Sequence, residues 1–271
     1  MTVLEKSFEH CRRVARTQAR NFYYSFMLLP KHKRDAMCAI YAFMRYSDDL
    51  SDGPDAAQDP ATMERWRHDL EQALAGRYGQ SEVWPAFHHT VERFRIPHEY
   101  FHHVIDGVTS DLEPRDIQTF EELYRYCYQV ASVVGLTTVH VFGFDDPRVL
   151  ELAEKCGIAF QLTNIIRDVK EDEERGRRYL PKEDRERFRS LDELLRFEGE
   201  RARAYYEESK PLIGMMHADS KRAMWALFTI YSRLLQKMEA SGYPVLERRV
   251  RLSTFEKLGI VAQAMLLPVA G

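Results

Sequence analysis

Apolar residues recur every three to four positions through long stretches that are poor in glycine and proline. That is the period of a helix face, not the alternation of a strand. The pattern predicts helices over about 3–19, 31–52, 60–76, 81–95, 98–110, 119–143, 147–172, 191–216, 219–239 and 254–267. Breakers fall between them: Pro30, Gly53-Pro54, Pro97, Pro114, Pro147, Gly176, Pro181 and Gly242-Tyr243-Pro244. Strand signals are nearly absent and no low-complexity linker divides the chain. The expectation is therefore an all-α single domain spanning residues 1–271, built as a helical bundle.

Two predicted helices end in acid. In Tyr41-Ala-Phe-Met-Arg-Tyr-Ser-Asp-Asp-Leu-Ser-Asp52, Asp48 and Asp52 are four apart and share a helix face, with Tyr41 and Arg45 before them on the same side. In Gly157-Ile-Ala-Phe-Gln-Leu-Thr-Asn-Ile-Ile-Arg-Asp-Val-Lys-Glu-Asp172, Asp168 and Asp172 repeat the spacing, and Gln161 and Asn164 interrupt the apolar stripe leading to them. Paired like charges near a helix C-terminus repel each other and oppose the helix dipole. A solvated helix end accounts for either pair alone. The repeated spacing, the polar interruptions and the arginines flanking both pairs favour a shared divalent cation. Magnesium takes one or two protein carboxylates and fills its shell with water and substrate phosphates, so facing Asp pairs beside arginines suit a diphosphate held through several magnesium ions. The histidines His88, His89, His98, His102 and His103 do not share one face and read as surface or core residues.

Composition narrows the class. The 271 residues carry a net charge of only −3, which gives no global field to attract nucleic acid. Cys11, Cys38, Cys127 and Cys156 form no CxxC pair, which argues against a disulfide framework or zinc site and for a reducing cytoplasm. The charged N-terminus lacks the apolar core of a signal peptide, and no run approaches the roughly 20 apolar residues of a membrane span. Leu258 to Ala270, interrupted by Gln263 and Pro268, reads first as a packed C-terminal helix and second as a peripheral membrane contact.

Four segments in order resemble the squalene/phytoene synthase family. They are Asn21-Phe-Tyr-Tyr-Ser-Phe-Met-Leu-Leu-Pro30, Ala39 to Gly53 with the first Asp pair, Tyr126-Cys-Tyr-Gln-Val-Ala-Ser-Val-Val-Gly135, and Gln161 to Asp172 followed by Arg175-Gly-Arg-Arg-Tyr-Leu-Pro181. The resemblance implies an isoprenoid-synthase helical bundle around a central apolar cavity, and a magnesium-dependent prenyltransferase that joins two prenyl diphosphates head to head and releases diphosphate. Carried over position by position, it implies metal binding by Asp48, Asp52, Asn164, Asp168 and Asp172. It implies substrate contacts from Arg45, Arg167, Gln161 and Tyr243, and a tyrosine, Tyr126, near the reacting carbons. Tyr41, on the face of the first Asp pair, and Phe22 and Phe26, aromatics beside the motifs, are read as further substrate contacts from their positions, against the alternative of plain core. Position 21 is Asn where Ser is common, position 132 is Ser where Gly is common, and Arg248-Arg-Val-Arg251 departs from the usual pattern near the C-terminus.

Substrate length is open at this level. Phe22 and Phe26, four apart, predict a bulky floor that favours two farnesyl (C15) diphosphates and a presqualene- or squalene-type product. The alternative is two geranylgeranyl (C20) diphosphates and phytoene, with small Cys38 leaving room. No Gly-rich dinucleotide fingerprint occurs, although related reductive enzymes bind NADPH without one. A terpene cyclase would carry a different second metal motif. A di-iron bundle needs two Glu-x-x-His motifs, and only Glu99 to His102 fits. A non-catalytic helical binding protein would leave Gln161 and Asn164 without a purpose.

Overall fold

Thr2 opens the first helix with a capping box. Its hydroxyl accepts the Glu5 N–H at 3.2 Å while the Glu5 carboxylate accepts the Thr2 N–H at 2.7 Å. In the computed structural model, which describes residues 1–19, 21–52 and 60–267, fourteen helices follow one another. They are α1 (Val3–Gln18), α2 (Phe22–Phe26), α3 (Lys31–Asp52), α4 (Pro60–Leu74), α5 (Trp84–Phe94), α6 (Glu99–Thr109), α7 (Phe120–Cys127), α8 (Val133–Phe142), α9 (Arg148–Glu174), α10 (Lys182–Arg187), α11 (Leu191–Ser209), α12 (Leu212–Met215), α13 (Lys221–Ala240) and α14 (Thr254–Leu266). Among the described residues the strand content is one parallel pair of two-residue strands, β1 (Arg115–Asp116) and β2 (Arg177–Arg178). The fold is the all-α bundle expected from the pattern.

Two predicted helices are altered. The stretch 119–143 is α7 and α8 joined through a π-helical turn, Tyr128–Ser132. The extra residue in that turn swells the backbone, and two glycines make room for it. A Cβ on Gly157 of α9 would lie 2.4 Å from Ser132 Cα, and one on Gly107 of α6 would lie 2.6 Å from a Val130 methyl. The stretch 191–216 is broken after Ser209, where Pro211 cannot continue a helix and α12 starts afresh. The five- and six-residue helices α2 and α10 are too short to show a period.

The interior has two parts. Between α3, α4, α5 and α6 the space is filled by aromatic rings. Phe43 stacks on Trp66 at 5.9 Å, meets Phe87 at 4.7 Å and sets its edge to Phe101 at 5.5 Å. On the other side of α3, facing α8, α9 and α13, the bundle is hollow.

Candidate active site

The hollow is a cavity of about 480 Å³. α3 supplies Met37, Tyr41, Arg45 and Asp48 to its wall, and α9 supplies Ala153, Gly157, Gln161, Asn164, Asp168 and Asp172. Side chains four or so apart on one helix face form each column. The α9 column from Asp168 to Ala153 covers 168 − 153 = 15 residues, or about 22 Å at 1.5 Å per residue. Exposure grows toward the acidic ends: Asp48 is exposed, whereas Met37, Ala153, Leu212 and Met224 are buried. The cavity therefore has an acidic mouth and an apolar body, the latter completed by Val104, Val134 and Leu227.

The residues singled out in the sequence largely meet here. Phe22, Phe26, Tyr41, Arg45, Asp48, Tyr126, Gln161, Asn164, Arg167, Asp168 and Asp172 all line this one cavity. Asp52 is the last residue of α3, and its side chain lies outside the described residues. Tyr243 departs from expectation. Its backbone is left-handed at φ 54°, and its phenol is turned onto α11. A Cβ on Gly199 there would come within 1.9 Å of the Tyr243 oxygen. Tyr243, in the turn after α13, packs against α11 and does not line the cavity. Phe22 and Phe26, expected together as a floor, both line the cavity, and Phe22 stands on its wall. Its ring lies 6.4 Å from Tyr41 and 5.6 Å from Tyr231, and the lining continues deeper on α3 to Met37.

The mouth is a network of opposite charges. Arg167 pairs with Asp168, and Arg249, from the segment before α14, donates to the same carboxylate at 2.8 Å. Burial alone would raise the Asp168 pKa, but the hydrogen bond and charge of Arg167 and the charge of Arg249 hold it below the ordinary carboxylate range. Asp172 goes the other way. Burial and the neighbouring Asp168 charge push it up to about 7, and Arg177 and Arg175 offset this only in part. Arg45 pairs with Asp49 one turn on, not with Asp48.

A second cluster stands beside it. Tyr126 and Tyr179 stack at 4.7 Å and donate to the two oxygens of Asp111, at 2.9 and 2.8 Å. Arg177 donates to the Asp111 backbone carbonyl at 2.6 Å, and Arg115 lies 5.0 Å from the centre of the Tyr126 ring. Burial raises Asp111 despite the two phenols, and burial next to Asp111 raises the Tyr126 phenol well above its ordinary value. Sequence reasoning missed Asp111, Tyr179, Tyr231 and Arg249. Asp111 stands alone in a turn with no repeated spacing. Arg249 was hidden beside Arg248 and Arg251, exposed arginines like itself.

The donor set fits a magnesium–diphosphate assembly. Every candidate ligand is oxygen, as a hard cation prefers. The buried Oδ1 of Asn164 has no hydrogen-bond partner, and Asp172 is raised by burial and then by the Asp168 charge, both of which a cation would offset. Among the described residues no three acidic, histidine or cysteine side chains converge closely enough to hold a metal by themselves.

Comparison with known proteins agrees with this geometry. A family model described as squalene/phytoene synthase matches residues 15–256. A 15-cis-phytoene synthase of Synechocystis sp. is 37% identical over 98% of this chain and 85% of its own length. Phytoene synthase 1, chloroplastic, of Arabidopsis thaliana is 32% identical over 97% of this chain and 67% of its own length. Among solved structures, a dehydrosqualene synthase in complex with ligand superposes with a TM-score of 0.88 at 28% identity, covering 97% of this chain and 96% of that one. A squalene synthase from Alicyclobacillus acidocaldarius superposes with a TM-score of 0.82 at 27% identity, covering 89% and 95%.

Proposed function

Because this chain belongs to the squalene/phytoene synthase family and is a prenyltransferase that joins prenyl diphosphates head to head, we propose that it condenses two geranylgeranyl diphosphates to phytoene, with magnesium at Asp48, Asp52, Asn164, Asp168 and Asp172. The observation that carries the chemistry is a single cavity with carboxylates and arginines at its mouth and an apolar body beneath, lined by about 22 Å of α9 from Asp168 to Ala153. The choice of C20 over C15 is supported by the 37% and 32% identical relatives, which are phytoene synthases. It is supported also by Phe22, which lies on the wall with lining residues below it. The dehydrosqualene synthase likeness is the observation that favours two farnesyl diphosphates as the second reading.

The reaction begins by ionising one allylic diphosphate. Magnesium, when bound, neutralises the leaving diphosphate and fixes its oxygens. Arg45 and Arg167 add fixed positive charge where negative charge develops, and Arg249 is held ready beside Asp168. The allylic cation survives because the body of the cavity excludes water, and the ring faces of Phe22, Tyr41 and Tyr231 attract the cation. Holding the second prenyl group with its double bond beside the cationic carbon makes the coupling effectively intramolecular. A proton leaves as the cyclopropane closes. Tyr126 keeps its own proton at neutral pH and spends it on Asp111, so it orients the reacting carbons and the released diphosphate accepts the proton. In the second step the remaining diphosphate leaves, and the cyclopropylmethyl cation rearranges to join the two C1 carbons. Loss of a proton then leaves the central double bond of phytoene, so no hydride and no NADPH is required.

The test is competition. Purified protein with magnesium and an equimolar mixture of farnesyl and geranylgeranyl diphosphates should give mainly a C40 product by mass spectrometry, unchanged by NADPH. A C30 product in excess would hand the assignment to the farnesyl reading.

A further inference from the structure

α14 is apolar on two sides. Ile260, Val261 and Ala264 are buried against the bundle. On the opposite side Phe255, Leu258, Ala262 and Met265 follow one another at three- and four-residue steps, Leu266 stands next to the last of them, and all are exposed. Phe255 is 86% and Leu266 84% accessible. Exposed large apolar side chains are normal when scattered, but a continuous stripe marks a surface that something covers. The polar residues of the helix do not break the stripe, because they are tied back to α13: Glu256 to Lys237 at 2.9 Å and Gln263 to Arg233 at 2.8 Å.

Three observations say what covers it. Exposed Arg248 and Arg251 lie on the segment just before the helix, beside exposed apolar Leu246. Arg249 of the same segment reaches Asp168 at the mouth. On its inner side α14 packs on α2, where Lys257 lies 5.5 Å from the Tyr24 ring and Phe22 lines the cavity. An apolar stripe with basic residues at its edge is the signature of a helix lying in the headgroup layer of an anionic membrane. We propose that the outer face of α14, with Arg248 and Arg251, docks the enzyme on an anionic lipid surface, so that the cavity mouth and α2 wall lie next to the bilayer. The face stands on exposure and charge alone. The reason for a lipid occupant rests on the prenyl-coupling reading: the substrates have long apolar tails, and a C40 hydrocarbon has no polar group to keep it in water. Docking here lets both pass between cavity and lipid.

The experiment is co-sedimentation of the full chain with vesicles of phosphatidylcholine alone or mixed with phosphatidylglycerol, with light scattering of the free protein alongside. Wild type should pellet with the mixed vesicles and much less with the neutral ones. Phe255→Glu/Leu266→Glu should weaken binding to both at least about tenfold. Arg248→Ala/Arg251→Ala should lose only the salt-sensitive part gained from phosphatidylglycerol. Both variants should keep wild-type turnover of detergent-dispersed substrate, which shows that they fold. The proposal is overturned if wild type stays in the supernatant, or if the Glu pair pellets like wild type. It is overturned equally if wild type is a dimer that the Glu pair splits while vesicle binding is absent. Binding needs no turnover, so docking without product would refute the proposed reaction and leave the surface standing.

Discussion

Helix α3 serves two interiors. On one side Phe43 is fully buried among Trp66, Trp84, Phe87 and Phe101, with ring centres 4.7 to 6.0 Å away. Two positions earlier, Tyr41 looks into open space with Met37 below it and Arg45 and Asp48 above. Both sides are written in apolar residues of similar size. The filled side gains from contact and holds the bundle together. The hollow side forgoes that contact, and its walls are kept apart by the filled half and by the swelling at Tyr128–Ser132. Stability and function are thus segregated on opposite faces of one helix.

The largest expected effect separates the faces by stability. Phe43→Ala empties a packed site and should cost about 3–5 kcal/mol in urea unfolding. Phe22→Ala only widens an existing cavity, so it should cost less than about 2 kcal/mol and change turnover instead. Equal losses at the two sites would break the contrast. Next come the mouth carboxylates. Asp168→Asn and Asp172→Asn should each cut turnover at least about a hundredfold, the scale of losing one charge-stabilising group. Their stabilities should diverge. Asp172→Asn should raise Tm, since burial and Asp168 oppose its charge, while Asp168→Asn should lower Tm by leaving the mostly buried Arg167 without its carboxylate, Arg249 keeping Glu171 at 3.5 Å. Wild-type rates for both would remove the metal assignment.

The smallest effect sharpens the comparison from a buried acid away from the cavity. Glu198 on α11 is fully buried and bonded to Arg201 at 2.7 Å, yet burial and the nearby Asp184 charge raise it from its ordinary 4.5 to about 7. Its folded pKa lies above its unfolded one, so its contribution to stability is full below the unfolded value and is lost as pH rises through about 7. Glu198→Gln should flatten the fall in stability between about pH 5 and pH 8, an effect of at most about 3 kcal/mol. A wild-type pH profile in the variant would show that Glu198 stays charged throughout.

Helix positions were legible because the 3.6-residue period reports burial on either interior alike. For the same reason the period cannot tell a wall from a plug, and Phe22 and Phe26 read as a floor. What betrayed the cavity in the sequence was polarity out of place: Gln161 and Asn164 in an apolar stripe, and two Asp pairs at helix ends. Tyr126 came only through resemblance. Asp111, Tyr179 and Arg249 were invisible because the turn before β1, the loop around β2 and the segment before α14 bring them to the mouth, and no local spacing encodes such meetings. Tyr243 misled because a tyrosine after Gly242 signals a turn but not the direction of its ring.

The account's central claim is that two prenyl chains are joined in this cavity, each losing its diphosphate. Incubation with geranylgeranyl diphosphate and magnesium alone, followed by mass spectrometry of the lipid and assay of diphosphate, tests it most directly. The account predicts a C40 hydrocarbon, two diphosphates released for each molecule formed, and no product in excess chelator. A cyclised or hydrolysed C20 product, with one diphosphate per molecule, would contradict it.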